Sequence, residues 1–139
     1  MLIFALRMLV AGRARCPLLH EEMDIAAGPL AMEFLAALSI FLMTLGNGSR
    51  RRLAVGPPPC HHRMPDEEAI LCLVAAAQED DEERLAAHLC WLVRSERQQA
   101  VRGSLRALAD MATCAGLRLC SSEAANAGSA AAVRRMAHQ

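Results

Sequence analysis

The sequence has no lysine and no tyrosine, a single tryptophan, and aromatic residues at only 3% of its length. A chain so poor in rings must fill its interior with Leu, Ala, Met, Val and Ile, and the 54% apolar content allows it to. Ala, Leu and Met are strong helix formers and weak strand formers. No segment alternates apolar and polar residues over a strand's length, so nothing in the pattern argues for a sheet. Net charge is missing too: fifteen basic and fifteen acidic groups cancel. A neutral chain has no overall field to draw it onto nucleic acid, and no nucleic-acid partner is expected. Every basic residue is arginine. With abundant alanine, that usage points to a GC-rich, bacterial genome. The catalytic signatures are absent as well: no Gly-rich phosphate loop, no G-x-S-x-G and no H-E-x-x-H. Neither enzyme activity nor a small-molecule substrate can be read from the chain.

What is present fits one domain. A chain of 139 residues buries about 68% of its unfolded surface, enough for an ordinary core without staples. The six cysteines fall at irregular gaps with no C-x-x-C. Cys72, Cys90 and Cys114 sit among Leu and Ala in helical patterns, where a thiol behaves as a small buried hydrophobe. Free thiols in a reducing, cytoplasmic compartment are therefore expected. The opening "MLIFALRMLVAG" has its arginine inside the apolar run instead of before it, so it reads as a first helix and not as a secretory signal. In that helix Phe4, Met8 and Leu9 form a stripe, and Arg7 faces water or an acidic partner.

Gly28-Pro29 divides the next apolar stretch. Glu21, Glu22 and Asp24 suit the first turn of a short helix. Pro29 suits the start of a longer one running to about Leu45, where Gly46-Asn47-Gly48 reads as a stop in the left-handed conformation. Leu30, Phe34, Leu38, Phe41 and Leu45 share its buried face; Glu33, Ala37 and Thr44 mark a thinner opposite face. A membrane span needs about 20 largely uncharged residues, whereas twelve separate Glu33 from Gly46. The expected reading is the central helix of a bundle. Membrane association is the alternative, with Arg50, Arg51 and Arg52 as a basic flank. In a bundle those arginines form a solvated face.

"GPPPCHHRMP" reads as a stiff, proline-held elbow. After Pro65, Asp66, Glu67 and Glu68 supply exposed negative charge to a helix start, with Ile70, Leu73, Val74 and Ala77 buried. Asp80 or Asp81 caps a further helix lined by Leu85, Leu89 and Leu92 to about Arg94. Ser95 with Gln98 suggests a capping box for a last helix carrying Val101, Leu105, Leu108 and Ala112, stopped by Gly116. Trp91 is expected in core or interface packing.

Two groups raise chemistry. Cys60 and His62, with His88 from a later helix, are zinc-ligand types, but the motif lacks a second half at standard spacing. Cys60 beside histidines and just before a helix start is also a candidate reactive thiol. No cofactor is expected beyond the outside case of zinc.

"LIFALRML" followed by "RRLAVGPPPCHHRMPDEEAIL" resembles a family of small helical proteins of sphingomonad-type alphaproteobacteria whose function is unknown. The matching residues are Arg7, Cys60, Arg63, Met64 and Glu68. His61-His62 stands where the family pattern has more Cys and Pro. The resemblance implies a helical fold and no particular activity.

The expectation is therefore an all-α, compact bundle of five to six helices around a hydrophobic helix at about 29–45. One domain spans 1–120, followed by a flexible Ala/Ser-rich tail at 121–139. Its role is expected to be non-catalytic interaction or regulation, through a protein partner or self-association as a homodimer. Membrane association and a metal- or thiol-dependent activity at Cys60 are the alternatives.

Overall fold

A computed structural model describes residues 1–58 and 62–119, and the tail expected at 121–139 lies outside them. Among the described residues six α-helices follow one another: α1 (Leu2–Val10), α2 (Pro17–Ala27), α3 (Ala31–Gly48), α4 (Pro65–Gln78), α5 (Glu82–Leu92) and α6 (Gln98–Cys114). Short 3₁₀ turns at Gly28–Leu30 and Ser95–Arg97 lead into α3 and α6. The described residues hold no strand; their only β pairing is one isolated bridge between Ser49 and Val93. The chain is all-α, as its composition predicts.

A single apolar core joins all six helices, with Leu6, Leu19, Phe34, Ile70, Leu85 and Leu105 among its members. Helix α3 packs most broadly against α6, and α4 lies against both α5 and α6. The buried side of α3 carries Phe34, Leu38, Phe41 and Leu45, the spacing expected of a core-facing helix.

Local signals place most boundaries. Pro17 and Pro65 occupy first-turn positions, where a missing amide donor costs nothing. Asp81 caps α5 by accepting the Arg84 N–H. Gly116, at φ +79°, ends α6 as predicted.

Four local expectations need correction. Helix α2 begins at Pro17, so Glu21, Glu22 and Asp24 lie beyond its first turn. Ser95 makes no cap hydrogen bond; a 3₁₀ turn occupies that place, and the Gln98 side chain instead donates to the Val93 carbonyl. Cys72 is buried, but Cys90 and Cys114 are exposed. Helix α3 runs through the glycines to Gly48, and neither Gly46 nor Gly48 is left-handed. Its end is set by tertiary contact. A Cβ on Gly48 would meet the Arg97 Cβ at 2.8 Å, so only glycine permits this approach. The Gly48 carbonyl accepts the Arg94 N–H, and the Leu92 carbonyl accepts the Arg50 N–H, which pulls the chain out of the helix.

The largest departure concerns charge. Arg7 and Glu67, sixty residues apart, form an ion pair with side chains only 4% and 0% exposed. Arg7 Nε and Nη2 donate to the two carboxylate oxygens at 2.6 and 2.8 Å. Glu67 also accepts the Gly56 and Met64 backbone N–H groups, and Arg7 Nη2 reaches the His62 carbonyl at 2.6 Å. Next to it, Asp66 accepts Arg51 and the Ala54 N–H. Asp66 and Glu67 are therefore not an exposed helix start but two buried clasps on the connector. Of the alternatives for Arg7, the acidic partner holds and water does not.

Breaking a buried pair on one side leaves an uncompensated charge, at a cost of about 3–5 kcal/mol. Arg7→Met and Glu67→Gln should each lower the urea unfolding free energy by about that much, and the double variant by less than the sum. The Arg7 guanidinium holds the Glu67 carboxyl below its usual range, and Arg51 does the same for Asp66. Carboxyls depressed on folding stabilise the fold above their unfolded pKa, and that contribution is lost as the pH falls through the lower folded value. The urea midpoint should thus drop below about pH 4, the ordinary carboxylate range. The drop should be shallower in Glu67→Gln than in wild type.

Candidate functional site

The sequence nominated Cys60, His62 and His88 as metal ligands. Cys60 lies outside the described residues, so neither the zinc reading nor the thiol reading has its central atom in view. His62 is exposed, with its backbone carbonyl bound by Arg7, and His88 is half-buried on α5. Among the described residues no group of three His, Cys, Asp or Glu side chains is arranged to hold a metal ion.

The buried acids are structural in their bonding. Glu67 Oε1 accepts from Arg7 and Met64, and Oε2 from Arg7 and Gly56. Four donors fill the four acceptor positions of a carboxylate, so Glu67 has no capacity left for a substrate proton. A Cβ on Gly56 would stand 3.1 Å from Arg7 Nη2, showing how closely the connector wraps this pair.

The feature that packing leaves unexplained is the outer side of α3. At 100° per residue, Met32, Ala36, Ile40, Met43 and Asn47 fall on one stripe opposite Phe34, Leu38 and Phe41. Met32 is 61% exposed, Ile40 59% and Met43 68%. Glu33, Ala37 and Thr44, expected to mark the thinner opposite face, lie along one edge of this apolar stripe, where Glu33 is the one charge. Thr44 turns its hydroxyl inward to the Ile40 carbonyl. Neighbouring segments extend the patch. Leu9, Val10 and Ala14 border Ser39, Leu42 and Met43 in a shallow apolar depression. A second depression continues past Gly46 to Arg52, Leu53 and Val55.

Ile25 on α2 and Trp91 on α5 are also exposed, at 77% and 82%. Trp91 is thus outside the core, which removes one of the two places expected for it. The stretch Pro17–Gly48 is long and apolar enough to cross a membrane by length and composition, and 33% of its most apolar window is buried. It is not one straight rod: Gly28, at φ +59°, and the 3₁₀ turn separate α2 from α3.

Searches of family models, curated proteins and solved structures return no match to this chain.

The two faces of α3 should respond oppositely to substitution at adjacent positions. Phe41→Ala should cost about 3–5 kcal/mol through the cavity it leaves. Ile40→Glu should change stability by no more than about 0.5 kcal/mol in dilute solution. Thermal unfolding followed by circular dichroism compares them directly.

Proposed function

We propose that this chain is a non-catalytic helical interaction protein whose docking face is the outer side of α3. The observation that carries the reading is the row of Met32, Ile40 and Met43 exposed on a helix whose other side is fully packed. An apolar stripe of this kind, continued by adjoining depressions along one flank, is what protein partners cover. Flexible methionines suit such a surface, because an unbranched thioether adapts to a facing side chain. The buried titratable groups support the same reading, since their bonding is used up in holding the connector. We further place the protein in the cytoplasm and beside the sphingomonad-type helical family that its Arg7 and Arg63-Met64 segments resemble.

A photo-reactive amino acid at position 40, illuminated in cells, tests the docking face. Discrete protein adducts are expected at position 40 and none at Arg118, an exposed control position. Illumination that yields no protein adduct would remove the reading.

A membrane-surface role is favoured by one observation, the span-length apolar stretch at Pro17–Gly48. Fractionation separates the two: recovery only with detergent supports the membrane, and recovery in buffer supports the protein partner. The zinc or thiol alternative rests on Cys60; elemental analysis of the purified protein decides the metal, and the thiol pKa of Cys60 decides the reactive cysteine.

A further inference from the structure

Between α3 and α4 the chain carries an unused hydrogen-bonding edge. After the Ser49–Val93 bridge, residues 52–57 belong to no helix and pair with no strand. Two of their amides are engaged on one side: the Ala54 N–H donates to Asp66 and the Gly56 N–H to Glu67. Outside a helix, amides two residues apart that turn the same way mark an extended chain. The alternate residues, Leu53 and Val55, then present their N–H and C=O groups to the opposite side. Among the described residues neither Leu53 nor Val55 makes a backbone hydrogen bond. Buried amides without partners are rare in native structures, so this edge is open to solvent.

The edge is also held in shape. Its anchors, Asp66 and Glu67, are themselves clasped by Arg51 and Arg7. Pro57 keeps the preceding Gly56 out of the helical region. A segment fixed this way loses little freedom when something pairs with it.

Apolar surface and positive charge lie along the edge. Val10, 55% exposed, shares a shallow depression with Leu53 and Val55, and Arg52 and Ala54 complete its lining. Adjoining depressions continue to Leu42 and, beyond it, to Ala14. No acidic side chain lines any of the three. Arg52 is exposed and has no ion-pair partner among the described residues. Arg13 and Arg15, on either side of Ala14, are exposed under the same condition.

We propose that the edge at Leu53 and Val55 takes an extended peptide segment of a partner protein, acidic and apolar in alternation, which adds to it as a strand. The peptide main chain pairs with Leu53 and Val55, an apolar side chain enters the depression at Val10, and a carboxylate meets Arg52. Main-chain bonds supply affinity in such strand addition, and the depression with its arginine supplies selectivity. A partner helix has no main-chain groups to offer, because its own are used internally. A bilayer surface satisfies the arginine but not a row of alternating donors and acceptors. This site is separate from the outer side of α3, and either surface can be occupied without the other.

Selection of random ten-residue peptides, displayed on bacteriophage, against the full chain tests the edge. The selected sequences should alternate acidic and apolar residues and lack interior proline. A synthetic peptide of that consensus should bind with a dissociation constant of about 1–100 μM. It should shift the Leu53 and Val55 amide signals most in a nitrogen–proton correlation spectrum. N-methylating one alternate set of peptide amides should weaken binding about tenfold or more, and methylating the other set should leave it unchanged. Arg52→Glu should weaken binding about tenfold, because an attraction becomes a repulsion. The methylated peptides leave the protein untouched, so misfolding of a variant cannot produce their result. The edge is overturned by a selection without consensus, by two methylated sets that bind alike, or by a chain that binds phosphatidylglycerol vesicles and no peptide. If position 40 crosslinks to a protein while no peptide binds, the edge fails and the docking face stands. If a peptide binds in one register while position 40 stays silent, the edge stands and the docking face fails.

Discussion

The fold turns on one buried ion pair. Arg7 and Glu67 join the first helix to the start of the fourth, and between them they gather the Gly56, Met64 and His62 backbone groups. Burying two charges is costly, and the cost is offset only where geometry and extra hydrogen bonds satisfy both ions. Here they do: the guanidinium fork meets both carboxylate oxygens, and each oxygen takes one backbone donor besides. Without the pair, the connector after α3 would have to place its amides in solvent, and α4 would lose the anchor at its first turn. Arg51 with Asp66 repeats the arrangement one residue earlier, at a more exposed position.

Helix α3 shows one face to α6 and the core and the other to solvent. The long, largely apolar α3 thus leaves Met32, Ile40 and Met43 uncovered. A soluble helix does not ordinarily spend large apolar residues on its outer face when Ala, Ser or charged residues serve there. Met32, Ile40 and Met43, which help α3 look like a membrane segment in composition, are the residues that packing leaves exposed. The docking reading and the membrane reading therefore compete for a single feature.

Much of this was legible from residue types. Prolines at 17, 29 and 65, glycines at 28 and 116 and the cap at Asp81 bracket the helices closely. The outer stripe of α3 was legible too, because Met32, Ala36, Ile40 and Met43 follow helical spacing. The stronger Phe and Leu stripe, with Glu33, Ala37 and Thr44 between the two, masks it. Other features had no local signal. Gly46-Asn47-Gly48 has the composition of a stop, yet the helix continues, because Gly48 is needed for close approach to Arg97. The Ser95 capping box fits its motif, but a 3₁₀ turn and the Ser49–Val93 bridge occupy that corner.

The sequence by itself determined the helical class, a count of five to six helices and the core-facing stripes of α3, α4, α5 and α6. These depend on periodicity and backbone punctuation, which act over a few residues. Only the tertiary structure decided the fate of charge. Arg7 in an apolar helix and Glu67 behind a proline each look like a surface residue until the chain brings them together across sixty positions. Whether a charge is solvated or clasped depends on what lies opposite it, and that is a property of packing and not of neighbours in sequence.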